Sequence, residues 1–105
     1  MINYFKTSEG ELNKLDSPVT GSWINVVDPT PEEIAFLTEE IEIFPDLINY
    51  SLDLDEMPRI ERDEDEGYTF ILLRIPHFQG ENVDVPYATI PLGIIIVDGV
   101  IVTVC

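Results

Sequence analysis

The chain has 105 residues, the size of one domain, and its 45% hydrophobic and 25% charged residues are an ordinary globular composition that excludes wholesale disorder. Acidic residues dominate the charge: 21 Asp and Glu against 5 Lys and Arg give a formal net charge of −16. Such a field repels DNA, RNA and anionic lipid head groups and attracts cations, so nucleic-acid binding is excluded.

Ile2-Asn3-Tyr4-Phe5-Lys6 alternates loosely and is rich in β-formers, which predicts a strand, with Glu11 to Leu15 as its hairpin partner. Beyond Ser17-Pro18 and Gly21, Ser22 to Val27 reads as another strand, with Trp23 as a core anchor. The clearest local signal is Thr30-Pro31-Glu32-Glu33. It places Thr at the N-cap, Pro at the first helical position and Glu at the third, so that Thr30 and Glu33 can satisfy each other's backbone N–H groups. Ile34, Leu37 and Ile41, with Ala35 and Phe36 beside them, then form the apolar stripe of a helix of about three turns. Phe44-Pro45 interrupts it. Leu47, Ile48, Ser51 and Leu52 recur at helical spacing and predict a second short helix from Pro45 to about Leu54, closed by Met57-Pro58.

Arg59 to Arg62 reads as extended, and Asp63 to Gly67 as a charged turn. Tyr68 to Ile75 is a strand too continuously apolar to have a fully wet face. Pro76 to Tyr87 reads as a polar connection. Ile90 to Val97 and Val100 to Val104 flank Asp98-Gly99, the pattern of a tight hairpin. The order of strands, two helices and more strands predicts a single α+β domain over residues 1–105. Its sheet is mostly antiparallel or mixed, and the two short helices are inserted between the N-terminal and C-terminal strands. The chain stops inside an apolar strand, at Thr103-Val104-Cys105, which suggests an excised part of a longer protein.

Enzymatic chemistry finds little support. The one histidine, His77, has no second histidine or upstream cysteine to work with, and reads as a surface or structural residue. Phosphate-binding and nucleophile-elbow motifs are missing from the sequence. Cys105 is the only cysteine, so no internal disulfide can form and a reducing cytoplasm is compatible. No signal peptide is visible, and the longest apolar stretch, Ile90 to Val104, is broken by Asp98-Gly99 and falls short of the ~20 residues of a membrane span. Asp53, Asp55 and Glu56, followed by Glu61 and the run Asp63 to Glu66, are hard oxygen donors suited to Mg²⁺ or Ca²⁺. An EF-hand counted from Asp53 fails, because Met57 and Pro58 take the positions that need an oxygen donor and a glycine. What remains is a solvated acidic face, with Asp53, Asp55 and Glu56 as candidates for weak divalent-cation binding and no tightly held cofactor.

Several segments in this order, Trp23-Ile24-Asn25-Val26, Pro29 to Ile34, Leu52 to Glu61, Tyr68 to Leu73, and the closing strands Pro91 to Ile96 and Val100 to Val104, resemble the CorA family of Mg²⁺ transporters. The resemblance covers about residues 20 to 105, at the start of the family's N-terminal cytoplasmic domain. It implies an α/β domain on the cytoplasmic face of the membrane, in a homopentameric cation channel whose membrane helices carry a Gly-Met-Asn tripeptide. Neither that tripeptide nor a membrane span is in this sequence, so contact with the membrane would come only through a C-terminal region absent here. The implied partners are other subunits of the homo-oligomer and divalent cations. Where family members place a regulatory Mg²⁺-ligating aspartate, eight residues before the proline of the Pro-Arg turn, this chain has Tyr50, so that site does not carry over. Two functions follow from the sequence. The first is a regulatory or scaffolding part of a CorA-like divalent-cation transporter; the alternative is a free-standing acidic protein-interaction module.

Overall fold

The computed structural model describes residues 1–85 and 87–105. Five successive elements come first: strands β1 (Ile2–Ser8), β2 (Glu11–Leu15) and β3 (Ser22–Val26), then helices α1 (Pro31–Glu39) and α2 (Pro45–Leu52). Strands β4 (Arg59–Asp63), β5 (Tyr68–Phe78), β6 (Tyr87–Val97) and β7 (Val100–Val104) complete the chain. All seven strands join one mixed sheet in the order β2-β1-β3-β7-β6-β5-β4. Every pairing is antiparallel except β3 with β7. The predicted α+β class, with two short helices between N-terminal and C-terminal strands, holds.

Both helices lie on one face of this sheet. Leu37 from α1, Leu47 and Ile48 from α2, and Ile43 between them bury against Ile24, Val26, Phe70, Leu72, Ile95, Val102 and Val104. Helix α1 starts where the sequence indicates: Glu33 N–H donates to Thr30 Oγ1 at 3.1 Å, and Thr30 N–H donates to Glu33 Oε1 at 2.9 Å. It ends at Glu39, earlier than the apolar stripe suggests. Glu42 turns the chain with φ 63°, and Ile43 N–H returns to the Leu37 carbonyl at 3.0 Å, which drives Ile43 into the core and leaves Ile41 beyond the helix.

Helix α2 lies close over β6 because of two small residues. Ser51 is fully buried and its hydroxyl donates to the Leu47 carbonyl at 2.7 Å, so it brings no unsatisfied polar atom to the interface. Opposite it sits Gly93, where a Cβ would lie 1.8 Å from Ser51 Oγ and 2.6 Å from Ser51 Cβ. At the far end of β6, Gly99 adopts φ 81°, which the Asp98-Gly99 hairpin turn needs.

Three expectations are corrected. Trp23 is half-buried on the face away from the helices, where it stacks on Phe5 at 5.1 Å and donates to Thr103 Oγ1 at 2.8 Å; alternation along β3 gives the core side to Ile24 and Val26. Helix α2 stops at Leu52, since Asp53 is already extended. The connection expected from Pro76 to Tyr87 is shorter, because β5 runs to Phe78 and β6 begins at Tyr87. Pro76 is tolerated inside β5 because β4 pairs only as far as Leu72, leaving that edge of β5 without a neighbour. Pro86, within that connection, lies outside the described residues.

Two substitutions test these packing arguments. Gly93→Ala should cost about 1–3 kcal/mol by forcing α2 off the sheet, and Ser51→Ala should not rescue it, because the Ser51 Cβ itself is in the way. Thr30→Ala should cost about 0.5–2 kcal/mol through loss of the cap. Urea midpoints at constant m-value measure both; an unchanged midpoint for Thr30→Ala would mean the cap contributes nothing.

Candidate functional site

The sequence candidates cluster where α2 leads into the edge strand β4. Asp53 ends α2, and its Oδ1 accepts from the Asp55 N–H at 2.9 Å, the self-contained turn that aspartate favours. The Glu56 carboxylate accepts from Arg59 Nη1 at 2.6 Å, and the Glu61 carboxylate accepts from Arg59 Nε at 2.6 Å. Asp55 is exposed and faces water. Thus Asp53 and Glu56 are engaged with protein donors, and the three candidates are not drawn to one point. Among the described residues no group of three or more His, Cys, Asp or Glu side chains could hold a metal ion.

Arg59 organises this corner. Its guanidinium lies 4.7 Å from the centre of the Tyr50 ring and 5.9 Å from that of Phe70, while its nitrogens bridge Glu56 and Glu61. The hydrogen bond to Glu61, and after it that to Glu56, hold the guanidinium further into its charged range. Tyr50, where the family resemblance placed a metal-ligating aspartate, therefore offers a ring to a cation that is already bound by the chain. A second arginine fixes the same segment from the other side. Arg74 donates to the carbonyls of Leu54 at 2.8 Å and Glu56 at 3.1 Å, and to Thr89 through both its hydroxyl and its carbonyl. Sequence reading gave Arg59 only as part of the Pro-Arg turn of the family resemblance and gave Arg74 no role. The available signal was that Arg59, Arg62 and Arg74, three of only five basic residues, flank the acidic run.

Beside this corner, an open groove of about 250 Å³ runs between Phe44, Tyr50 and Tyr68, with Asp46, Glu61 and Asp63 among its lining residues. Partial burial, and after it the nearby Asp63 and Glu61 charges, push the Tyr68 phenol up from its usual pKa. Asp63 is also the pivot of the charged turn, its Oδ1 accepting from the N–H groups of Asp65 and Glu66 at 3.0 Å each. His77 is exposed on β5.

A different kind of site covers the whole other face of the sheet. No helix among the described residues lies there. Phe5, Trp23, Ile94, Ile96, Ile101, Ile71, Leu73 and Ile60 alternate outward across six strands, placed there by the register. Exposure is 72% at Ile60, 46% at Ile101, 42% at Leu73 and 40% at Ile96, so the face is an apolar surface open to water. In its centre, Trp23 Nε1 donates to Thr103 Oγ1 and Thr103 donates to Asn25 Oδ1 at 2.9 Å, so these polar groups are satisfied within the sheet. No helix among the described residues is long and apolar enough to cross a membrane.

Comparison with known proteins places this geometry in context. A family model described as "CorA-like Mg2+ transporter protein" matches residues 20–105. The cobalt/magnesium transport protein CorA of Methanocaldococcus jannaschii is 34% identical over 82 residues, 78% of this chain and 24% of that protein. The complete structure of the CorA magnesium transporter from the same organism superposes with a TM-score of 0.77 at 30% identity, over 99% of this chain and 32% of that one. The structure of the soluble domain of that CorA gives a TM-score of 0.76 at 30% identity, over 99% of this chain and 40% of that one. The chain spans about a quarter of the length of the curated relative.

The Arg59 corner predicts a measurable asymmetry. Arg59→Ala removes two half-buried ion pairs and the ring contact and should cost about 1–2 kcal/mol. Arg59→Lys, a point charge without the planar fork, should recover less than half of that. Urea midpoints of the two variants decide; an Arg59→Lys variant as stable as the parent would show that charge alone matters.

Proposed function

The chain belongs to the CorA-like Mg²⁺ transporter family, and on that premise we propose that residues 1–105 are a single domain, the N-terminal part of a cytoplasmic regulatory or scaffolding region of a divalent-cation transporter. The observation that carries the reading is the match to the soluble domain of a CorA over nearly the whole chain. In this reading the membrane region lies elsewhere in the protein, the domain sits on the cytoplasmic face, and identical subunits, five as in the family, surround one pore. The chain has no catalytic role. The open apolar face of the sheet is where further helices of the same soluble region pack, since this chain covers only 40% of the matched soluble domain. The alternative, a free-standing acidic interaction module, uses that same face for a foreign partner, and family membership favours the first.

The acidity has a physical use in such an assembly. Domains carrying −16 each repel when held in a ring, and divalent cations relieve the repulsion, which biases the subunits toward a closer arrangement. Asp53 and Asp55 would hold cations loosely. Glu56, already bound by Arg59, would contribute its field rather than a ligand bond. Reconstituting the full-length protein in vesicles with an internal Mg²⁺ indicator tests the function. Divalent-cation entry that high internal Mg²⁺ suppresses is the expected result, and a protein that moves no divalent cation would overturn it.

For the 105-residue chain, melting temperature should rise with NaCl from low ionic strength, as the Debye length falls toward ~8 Å and the carboxylates are screened. MgCl₂ at matched ionic strength should give a similar rise. Calorimetry should detect no saturable site with a dissociation constant well below about 1 mM, or about −4.1 kcal/mol. A tighter site lost in Asp53→Asn or Asp55→Asn would instead establish a specific metal centre.

A further inference from the structure

The open face of the sheet carries a charge pattern unlike the rest of the molecule. Three acids lie within strands, Glu11, Glu61 and Asp63, and the register turns all three toward the helix side, with Tyr4 and Leu15 at one end and Phe70 and Tyr68 at the other. The outward positions across the middle strands are Ile, Leu, Phe, Trp, Ala, Thr and Asn, with His77 near the end of β5. In a chain with 21 acids, a face of this size at average composition would carry several carboxylates. Here the strands present none. The charged groups they do present outward are Lys14 on β2 and Arg62 on β4, the two edge strands of the sheet.

We propose that Lys14 and Arg62 are paired anchors for the layer that covers this face, and that the layer meets them with carboxylates at its two opposite flanks. The proposal rests on the reading that further helices of the same protein pack there. Both cations are available. Lys14 makes no ion pair among the described residues, and Arg62 reaches only Glu64, at 3.8 Å with the two side chains 70% and 82% exposed, a contact of little strength. Seven strands make six inter-strand steps of about 4.8 Å, so the anchors stand roughly 29 Å apart. A helix laid along the strands is about 10 Å across and reaches only one anchor, and one laid across them would need about 20 residues to reach both. The two contacts therefore fix the covering layer at separate places and set its position across the sheet, a task that uniform apolar packing performs poorly. A second copy of the chain is a poor occupant, because like faces would bring no carboxylate to either anchor and two charges of −16 repel.

The experiment uses the full-length protein in a background without other cysteines. Ile96→Cys reports the middle of the face and Glu81→Cys reports an exposed loop; both are labelled with a maleimide under native conditions. The expected result is that position 96 labels far more slowly than position 81. Reversing both anchors, Lys14→Glu with Arg62→Glu, should then raise labelling at 96 by roughly 2- to 30-fold, the range for losing two exposed ion pairs. The charge-preserving pair Lys14→Arg with Arg62→Lys should leave it unchanged, which separates charge from general disruption. Slow labelling at 96 that the reversal does not alter would overturn the anchors while leaving the covering layer in place. Labelling at 96 as fast as at 81 would remove the covering layer, and the anchors with it.

Discussion

One parallel ladder holds the two halves of this fold together. Strands β1, β2 and β3 form one antiparallel unit and β4, β5, β6 and β7 another, and they meet only where Ser22–Val26 pairs with Val100–Val104. A parallel pair cannot be closed by a tight turn, so everything between β3 and β7 is a crossover, and the helices are its first part. The entropy of closing so long a loop grows only logarithmically with its length. It is offset at the joint itself, where Ile24, Val26, Val102 and Val104 are all fully buried beneath α1 and α2. The ladder also positions the first helix. Cys105 N–H donates to the Val26 carbonyl at 3.0 Å and Asp28 N–H to the Cys105 carbonyl at 2.9 Å, two residues before the Thr30 cap.

That arrangement sorts the charge. With helices on one face and an open apolar face on the other, acids can occupy only the helix surfaces, the turns and the helix-side rim of the edge strands. Three of the 21 are satisfied locally by backbone N–H groups: Asp53 and Asp63 in their own turns, and Glu33 at the helix cap. The Thr30 N–H, and next to it the amino terminus at 2.9 Å, hold the Glu33 carboxyl below the usual range. Glu56 and Glu61 share Arg59, and the same arginine closes the Tyr50 and Phe70 rings against the sheet edge. One arginine thus serves two carboxylates and two rings at once.

Legibility from sequence followed the range of the interactions involved. The cap at Thr30, the Asp98-Gly99 hairpin and the strand at Glu11 to Leu15 depend on neighbours a few residues apart, and the residues announce them. Family resemblance carried by segments in order, from Trp23 to Val104, was legible too, and the family model bears it out. Trp23 was misplaced because alternation along β3 does not say which face a helix will cover; that depends on β7, far away in sequence. The extra length of β5 and β6 was hidden by Pro76, which reads as a breaker unless the neighbouring edge is known to be empty. The Arg59 corner joins α2, β4 and β5, and no local pattern encodes such a meeting.

The same corner bears on how a divalent cation can act on this protein. A dehydration-averse ion such as Mg²⁺ needs several free oxygens that converge, and at this corner the carboxylates of Glu56 and Glu61 are taken by Arg59 and that of Asp53 by a backbone donor. Where the resemblance calls for an acid, Tyr50 instead offers its ring to the Arg59 guanidinium at 4.7 Å. On the proposed function, sensitivity to cations would reside in the surplus charge that no internal partner neutralises, which is spread over the turns and helix surfaces and would act between domains rather than within one. A field of that kind responds in a graded way to ionic strength and divalent concentration. It becomes a switch only when an assembly holds several such domains at a distance comparable to the ~8 Å screening length.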